Sequence, residues 1–339
     1  MRIGVKYIVL AIAMIGLSLN NSNAATLDEV KDKGYLQCGV NQDLPGFSMK
    51  NSDDQWQGLD VDFCKGLAAA IFGQDFEVKF VPLTASNRLE ALSRGDVDVL
   101  AGNMTWTTER DTQLGLNFIG INYYDGQGFM TRADMKINSV LQLSGASICA
   151  ISGTTTELNI ADYFKENNLE YNLELFEKTA DAIAAYDAGR CDVYSTDVTA
   201  LYVRRLDLSN PEEHIIIPEI ISKEPLGPVV REGDDQWFNI ARWSFMAVLN
   251  AEELGVTSVN VDDMMTSNNP IVQRLLGVTE DFGEQLGLQN DWAAQIIRAV
   301  GNYGEQYERN LGSESPLGIS RGLNALWIDG GLMYGAPIR

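Results

Sequence analysis

The feature that most constrains this fold is an alternation of apolar strands and helical stretches that occurs twice. The first series reads as strand 36–40, a loop with Pro45-Gly46, helix 60–72, strand 76–82, helix 86–93 and strand 97–101. Strands that follow one another through helices pair in parallel, and each helix needs a sheet face on which to bury its apolar side. This order therefore predicts a mostly parallel sheet flanked by helices. The order restarts at Ile148, with helix 155–167, strand 172–176, helix 180–188 and strand 192–195. Two units of one design predict an α/β protein of two similar lobes. Open sheets of this kind take ligands beyond the carboxyl ends of their strands, so the residues at those ends carry the functional argument.

Three strand ends stand out. The apolar run 97–101 stops at Gly102 and gives way to a polar stretch with Asn103, Thr105 and Arg110. A guanidinium offers a flat fork of donors suited to a carboxylate, and a hydroxyl adds another. A plainer reading makes this stretch the start of a surface helix with Glu109 in its first turn. The run 149–158 passes through Gly153 into Thr154, Thr155 and Thr156 ahead of a helix, whose unpaired N–H groups favour anions. The third strand ends at Asp197, placed either to hold an ammonium group or to cap the helix after it. If the lobes face one another, these groups form a receptor for a zwitterion.

Composition narrows the function classes. The net charge of −22 argues against nucleic acid and anionic lipid, both of which need a basic surface. A single histidine, His214, in a stretch that reads as a loop, leaves no ligand spacing for a metal and no catalytic triad, and nothing implies a cofactor. Residues 1–24 read as a secretory signal, with Arg2 and Lys6 before the apolar stretch 8–19 and small residues up to a cut near Ala24. No Cys stands at that cut for a lipid anchor, and no later stretch is long enough to span a bilayer. About 315 residues then remain, room for roughly two domains. Four cysteines fit an oxidising compartment. Cys38 in the first strand is expected to pair with Cys64 in the helix after it, and Cys149 with Cys191 in neighbouring strands. Four cysteines allow three pairings, and buried free thiols are the alternative.

Several long strings resemble one family: Gly58-Leu-Asp-Val-Asp-Phe, the segment through Arg110, Gly153-Thr-Thr-Thr-Glu with Asp197, and Asn122-Tyr-Tyr-Asp-Gly-Gln-Gly-Phe-Met. Pro218-Glu-Ile-Ile-Ser-Lys-Glu-Pro-Leu-Gly-Pro-Val-Val-Arg, Gly322-Leu-Asn-Ala-Leu-Trp and Gly330-Gly-Leu-Met-Tyr add to it. Over nearly the whole mature chain it is similar to the solute-binding proteins of polar amino-acid ABC importers, and within them to the general L-amino-acid binding group. The resemblance implies a two-lobed periplasmic-binding-protein fold of type II. The chain would cross between lobes at 124–131 and 222–230. Lobe one would comprise 25–131 and 223–339, including a helical C-terminal extension, and lobe two 132–222. Helical stretches 292–300 and 301–310, with Trp327, Met333 and Tyr334, would pack across lobe one.

The implied function is periplasmic capture of L-amino acids, as a monomer, for an inner-membrane ABC permease, without chemistry. Arg110 would hold the α-carboxylate with the Thr105 hydroxyl and the N–H groups of Thr154 and Thr155. Asp197 would bind the α-ammonium, with the carbonyl of Asn103, unless the Asn103 amide turns to the side chain. Arg88 matches an arginine that faces side-chain carboxylates in glutamate/aspartate-binding relatives; its plainer reading is an ion pair with Glu90 or Asp43. The chain departs from many relatives in Asp43-Leu44-Pro45-Gly46-Phe47, which lacks an aromatic residue before the proline. That favours breadth, and lets Asp43 accept a basic side chain. Trp106 is either a pocket wall or core. A narrow glutamate/aspartate(-amide) receptor is the alternative. Dehydratases and lyases also share this fold, but only Glu157 and Asp43 offer acid–base groups, and Glu157 suits a first helical turn. A sensory ectodomain would need a membrane span.

Overall fold

The computed structural model describes residues 26–339; the signal segment expected over 1–24 lies outside the described residues. Two five-stranded sheets form the two lobes. In the first, Leu36–Asn41 lies between Val78–Leu83 and Val99–Leu100, parallel to both. In the second, Ala146–Ile151 lies between Tyr171–Phe176 and Val193–Asp197, again parallel to both. The repeated strand–helix order therefore builds the same three-stranded parallel unit twice.

The sheets are mostly parallel, as expected: four of the five strands in each run one way. The fifth strand, Val229–Arg231 in the first sheet and Gln127–Arg132 in the second, runs antiparallel to both its neighbours, so that Leu116–Phe118 and His214–Ile216 beyond it return to the common direction. These two reversed strands enter directly from the segments joining the lobes, with no helix before them, and that allows the reversed direction. The second sheet consequently begins at Gln127, within the stretch read from the sequence as the first crossing. His214 is likewise strand rather than loop: it is buried, with Nδ1 2.7 Å from the Tyr186 hydroxyl. Between the lobes, Tyr123–Asp125 and Glu224–Leu226 pair antiparallel as a two-stranded crossover.

The helix Leu59–Phe72 is buried on almost every side, as an apolar helix must be when covered twice. One side meets the first sheet and the other meets Trp292–Val300 of the C-terminal extension. Its entry depends on Gly58, at φ 133°, where a Cβ would stand 2.1 Å from the Phe47 carbonyl oxygen. Both expected cysteine pairs are bonded, Cys38 to Cys64 and Cys149 to Cys191.

The extension packs on lobe one through Asp235–Glu253, Trp292–Val300 and Tyr303–Asn310, and Met333 is buried as expected. Trp327 and Tyr334 are not. They are 47% and 64% exposed and pack on each other at the surface, with the Trp327 indole N–H donating to Glu253. Rings that carry a polar group satisfy it there without entering the core.

The extension also grips the crossover. The Asn324 side chain accepts from the Tyr124 N–H (2.7 Å) and donates to its carbonyl (3.1 Å), and the Tyr303 hydroxyl donates to the Asn122 carbonyl (2.8 Å). No helix among the described residues is long and apolar enough to cross a membrane.

Candidate ligand-binding cleft

The ends of the parallel strands face each other across a cavity of about 180 Å³. Lobe one lines it with Asp43, Arg88, Asn103 and Thr105, and lobe two with Thr154, Thr155 and Asp197. Arg110, the eighth expected residue, sits directly behind this wall. It is buried, and its Nη1 donates to the Thr105 carbonyl at 2.8 Å.

The plainer local readings fare unevenly. The stretch does open a short helix, Thr108–Gln113, with Glu109 in its first turn and Thr107 as its cap, while Thr105 and Arg110 are buried. Asp197 occupies a cap position, yet its side chain caps nothing; it accepts from the Asn103 amide across the cleft at 3.4 Å. Asn103 is held for this in a left-handed conformation, φ 41°, by its N–H donating to Asp60 (3.0 Å) and its side-chain oxygen accepting from Asn41 (3.1 Å). Arg88 pairs with neither Glu90 nor Asp43. Its Nη1 donates to the Gly102 carbonyl, and its buried Nε has no partner. Trp106 is core, stacked on Phe118 with ring centres 5.3 Å apart.

Four functional groups escaped the sequence reading. Asp60 is buried and accepts from Asn122 and from the Asn103 N–H. Asp125 lies on the crossover and accepts from the N–H groups of Gly126 and Thr199. Glu224, 1% exposed, accepts from Thr105 (2.6 Å), Thr155 (3.0 Å), Asn159 (2.7 Å) and Ser222 (2.6 Å). Arg204, on Val198–Arg205, reaches lobe one, donating to the carbonyl of Asp43 and, at 3.3 Å, to its carboxylate. Asp43 is thereby engaged by a protein cation. The spacing of Asp197, Ala200 and Arg204 puts them on one helical face, a signal present in the sequence.

The electrostatics are those of buried charges of both signs that are incompletely paired. Burial pushes the carboxyls of Asp60 and Asp125 up to about 6, against the hydrogen bonds they accept. Burial, then Asp125 and Glu224, raise Asp197 well above the carboxylate range. Burial, then the neighbouring Arg110, lower Arg88 to about 9. Arg110 is lowered by burial, against the pull of Glu224 and Asp197. No cluster of three His, Cys, Asp or Glu suited to a metal occurs among the described residues. Of the two acid–base candidates, Glu157 does not line the cavity, and Asp43 lines it with its carboxylate 3.3 Å from Arg204.

Residues 36–258 match the family model of bacterial extracellular solute-binding proteins, family 3. The chain belongs to this family. It is 56% identical over 329 residues to the general L-amino acid-binding periplasmic protein AapJ of Rhizobium johnstonii, with 96% of each chain covered. It is 48% identical to the glutamate/glutamine/aspartate/asparagine-binding protein BztA of Rhodobacter capsulatus, covering 97% of this chain and 98% of that one. A periplasmic binding protein from Brucella ovis, solved with glutathione bound, superposes with a TM-score of 0.90 at 58% identity, covering 93% of this chain and all of that one. The family model ends at residue 258, so most of the extension that grips the crossover lies beyond it.

Proposed function

We propose that this protein binds L-amino acids in the cleft, in the periplasm and as a monomer, and delivers them to an inner-membrane ABC permease. A broad range that includes glutamate and aspartate suits the site. The observation that carries this reading is the meeting of Asn103 and Asp197 at 3.4 Å, one from each lobe, beside two buried guanidiniums. Asp197 takes the α-ammonium, together with the carbonyl of Asn103.

The Thr105 hydroxyl has one proton, and it goes to Glu224. Its oxygen lone pairs are therefore what a ligand meets, which assigns it to the ammonium rather than to the carboxylate. The carboxylate falls to the remaining donors of Arg110 and to the N–H groups that open Thr155–Glu166, which have no partner inside the helix. Arg88, short of compensating charge, suits an anionic side chain. Closure then follows from the ligand's stronger binding to the closed arrangement.

A second reading comes from the Brucella ovis relative: a γ-glutamyl peptide presents the same α-zwitterion with a longer side chain. Calorimetric titration of the ligand-stripped protein with common L-amino acids and glutathione tests both. Binding of many amino acids, abolished in Arg110→Ala and lost only for glutamate and aspartate in Arg88→Ala, is the expected result. Binding of glutamate, aspartate and their amides alone would favour the narrow receptor, and binding of glutathione alone the peptide reading. Turnover of any ligand, seen by chromatography, would overturn the assignment to transport alone.

A further inference from the structure

We propose that Glu224 is a positioning residue that fixes the direction of the cleft hydroxyls and ties it to the approach of the lobes. The inference rests on the amino-acid reading above. Glu224 does not line the cavity. It stands behind the wall on the crossover strand Glu224–Leu226, a segment belonging to neither five-stranded sheet. Its Oε2 accepts from Thr105 of lobe one and from Thr155 of lobe two, whose hydroxyl oxygens are 3.4 Å apart. Its Oε1 accepts from Asn159, one turn along the same lobe-two helix, and from Ser222.

An ionised carboxylate only accepts, and a hydroxyl has a single proton to give. Each threonine is therefore locked with its proton turned from the cleft and its lone pairs turned toward it. Without the carboxylate both hydroxyls become free rotors, and either can present a proton to the ligand ammonium. Because one oxygen serves a hydroxyl from each lobe, the full set of bonds forms only when the lobes stand as they do here. Asn159 extends the lock, since it also donates to Gln127, whose own amide donates to Ser195 in the second sheet.

The test is a double-mutant cycle read by calorimetry with L-glutamate on the full mature chain, with thermal melts for every variant. Glu224→Gln keeps the shape but replaces one carboxylate oxygen with a donor, so that either the two threonines or Asn159 and Ser222 lose their acceptor, and the negative charge that orders all four donors is gone. It is expected to weaken binding about tenfold to a hundredfold, the range of a hydrogen bond to a charged group. If Glu224 acts through the hydroxyls, Glu224→Gln added to Thr105→Val or Thr155→Val costs less than about threefold more than the single valine variant. A general loosening of the fold would multiply the losses instead. Multiplying losses, or binding by Glu224→Gln within threefold of wild type, would overturn the proposal while leaving the amino-acid reading intact. Absence of any amino-acid binding by the wild type would overturn that reading, and this inference with it. Should Glu224→Gln not fold, Glu224→Asp, which keeps the charge but draws it back from the hydroxyls, takes its place with the same expectations.

Discussion

Arg204 lines the cavity and bridges from lobe two to Asp43 of lobe one, and its effect can be apportioned from its partners. The guanidinium is 5% exposed and meets lobe one at two points, the Asp43 carbonyl and the Asp43 carboxylate, which is 65% exposed. A pair with so exposed a carboxylate contributes about 0–1 kcal/mol. A charged donor on a buried-side carbonyl contributes about 1.5–3 kcal/mol. Its third partner, Asp207, lies three residues along the same lobe and stays paired whether the lobes are open or closed. Only the Asp43 contacts therefore act on closure. Arg204→Met, which keeps the apolar stem, is expected to raise the ligand dissociation rate about tenfold to a hundredfold, the rate equivalent of that carbonyl bond. Asp43→Ala keeps the carbonyl and is expected to raise it no more than about fivefold. Stopped-flow fluorescence during displacement of a bound L-amino acid measures both. An unchanged dissociation rate in Arg204→Met, or equal losses in the two variants, would refute the reasoning. A loss in Asp43→Ala confined to L-arginine and L-lysine would show instead that Asp43 touches the ligand.

Further outcomes follow from the buried charges, the crosslinks and the extension. Asp60 titrates near 6 when folded against 3.8 unfolded, so its contribution to stability is complete below the lower value and lost as pH rises through the upper one, roughly 2–3 kcal/mol in all. The ligand-free protein should accordingly melt higher at pH 5 than at pH 7, and a lower melting temperature at pH 5 would contradict the burial of Asp60. Asp197 is raised in the free cleft, and an ammonium ligand lowers it, so binding should release a proton and weaken on acidification. Calorimetry in two buffers of unlike ionisation enthalpy detects that proton, and its absence would separate Asp197 from the ammonium. Removing the Cys38–Cys64 or the Cys149–Cys191 bridge, with sequence separations of 26 and 42, should each cost about 3.5–4 kcal/mol by loop entropy, measured by urea unfolding. Asn324→Ala unpairs the N–H and carbonyl of Tyr124 and should cost about 1–3 kcal/mol in the same assay; a loss under about 0.5 kcal/mol would mean that water replaces the amide.

The parallel cores were legible from the strand–helix period, and Asn103, Thr105, Thr154 and Thr155 because each follows a glycine that ends an apolar run; Asp197 was marked by its strand end, and Arg88 and Asp43 by the family resemblance. The antiparallel strands were hidden for the opposite reason. Glu224–Leu226 and Val229–Arg231 lie in a Gly- and Pro-rich stretch that reads as linker, yet they pair because the returning chain runs beside an open sheet edge. Glu224 was lost with them: a lone acid in a linker reads as solvated, and only the three-dimensional path brings hydroxyls from both lobes to it. Asp60, in the Gly58-Leu-Asp-Val-Asp-Phe stretch, carries no local signal of its role, since an aspartate opening a helix suits the dipole and Asn122, which donates to it, lies 62 residues away. Arg204 shares a helical face with Asp197, so its place beside the cleft is marked by the spacing of the two residues in the sequence.

The charges of the cleft explain how a grip on one end of a ligand is compatible with breadth at the other. The carboxylates of Asp60, Asp125, Asp197 and Glu224 converge from both lobes and the crossover, with Arg88 and Arg110 as the guanidiniums among them. Raised carboxyls and lowered guanidiniums both report charge insufficiently compensated in a buried place. A zwitterion relieves both if its ammonium lies toward Asp197 and its carboxylate toward Arg110. That polarity is set by groups the main chain and the crossover hold fixed: Asn103 by Asp60, the threonine hydroxyls by Glu224, and Arg110 by the Thr105 carbonyl. The rest of the cavity, past Thr84 and Ala85 on one side and residues 177–180 on the other, is lined by half-buried and exposed groups rather than by buried polar ones. Discrimination demands buried polar groups that a wrong ligand leaves unpaired. Here such groups are concentrated on the α-carbon end, so the site should reject molecules that lack the zwitterion far more strongly than it separates one side chain from another.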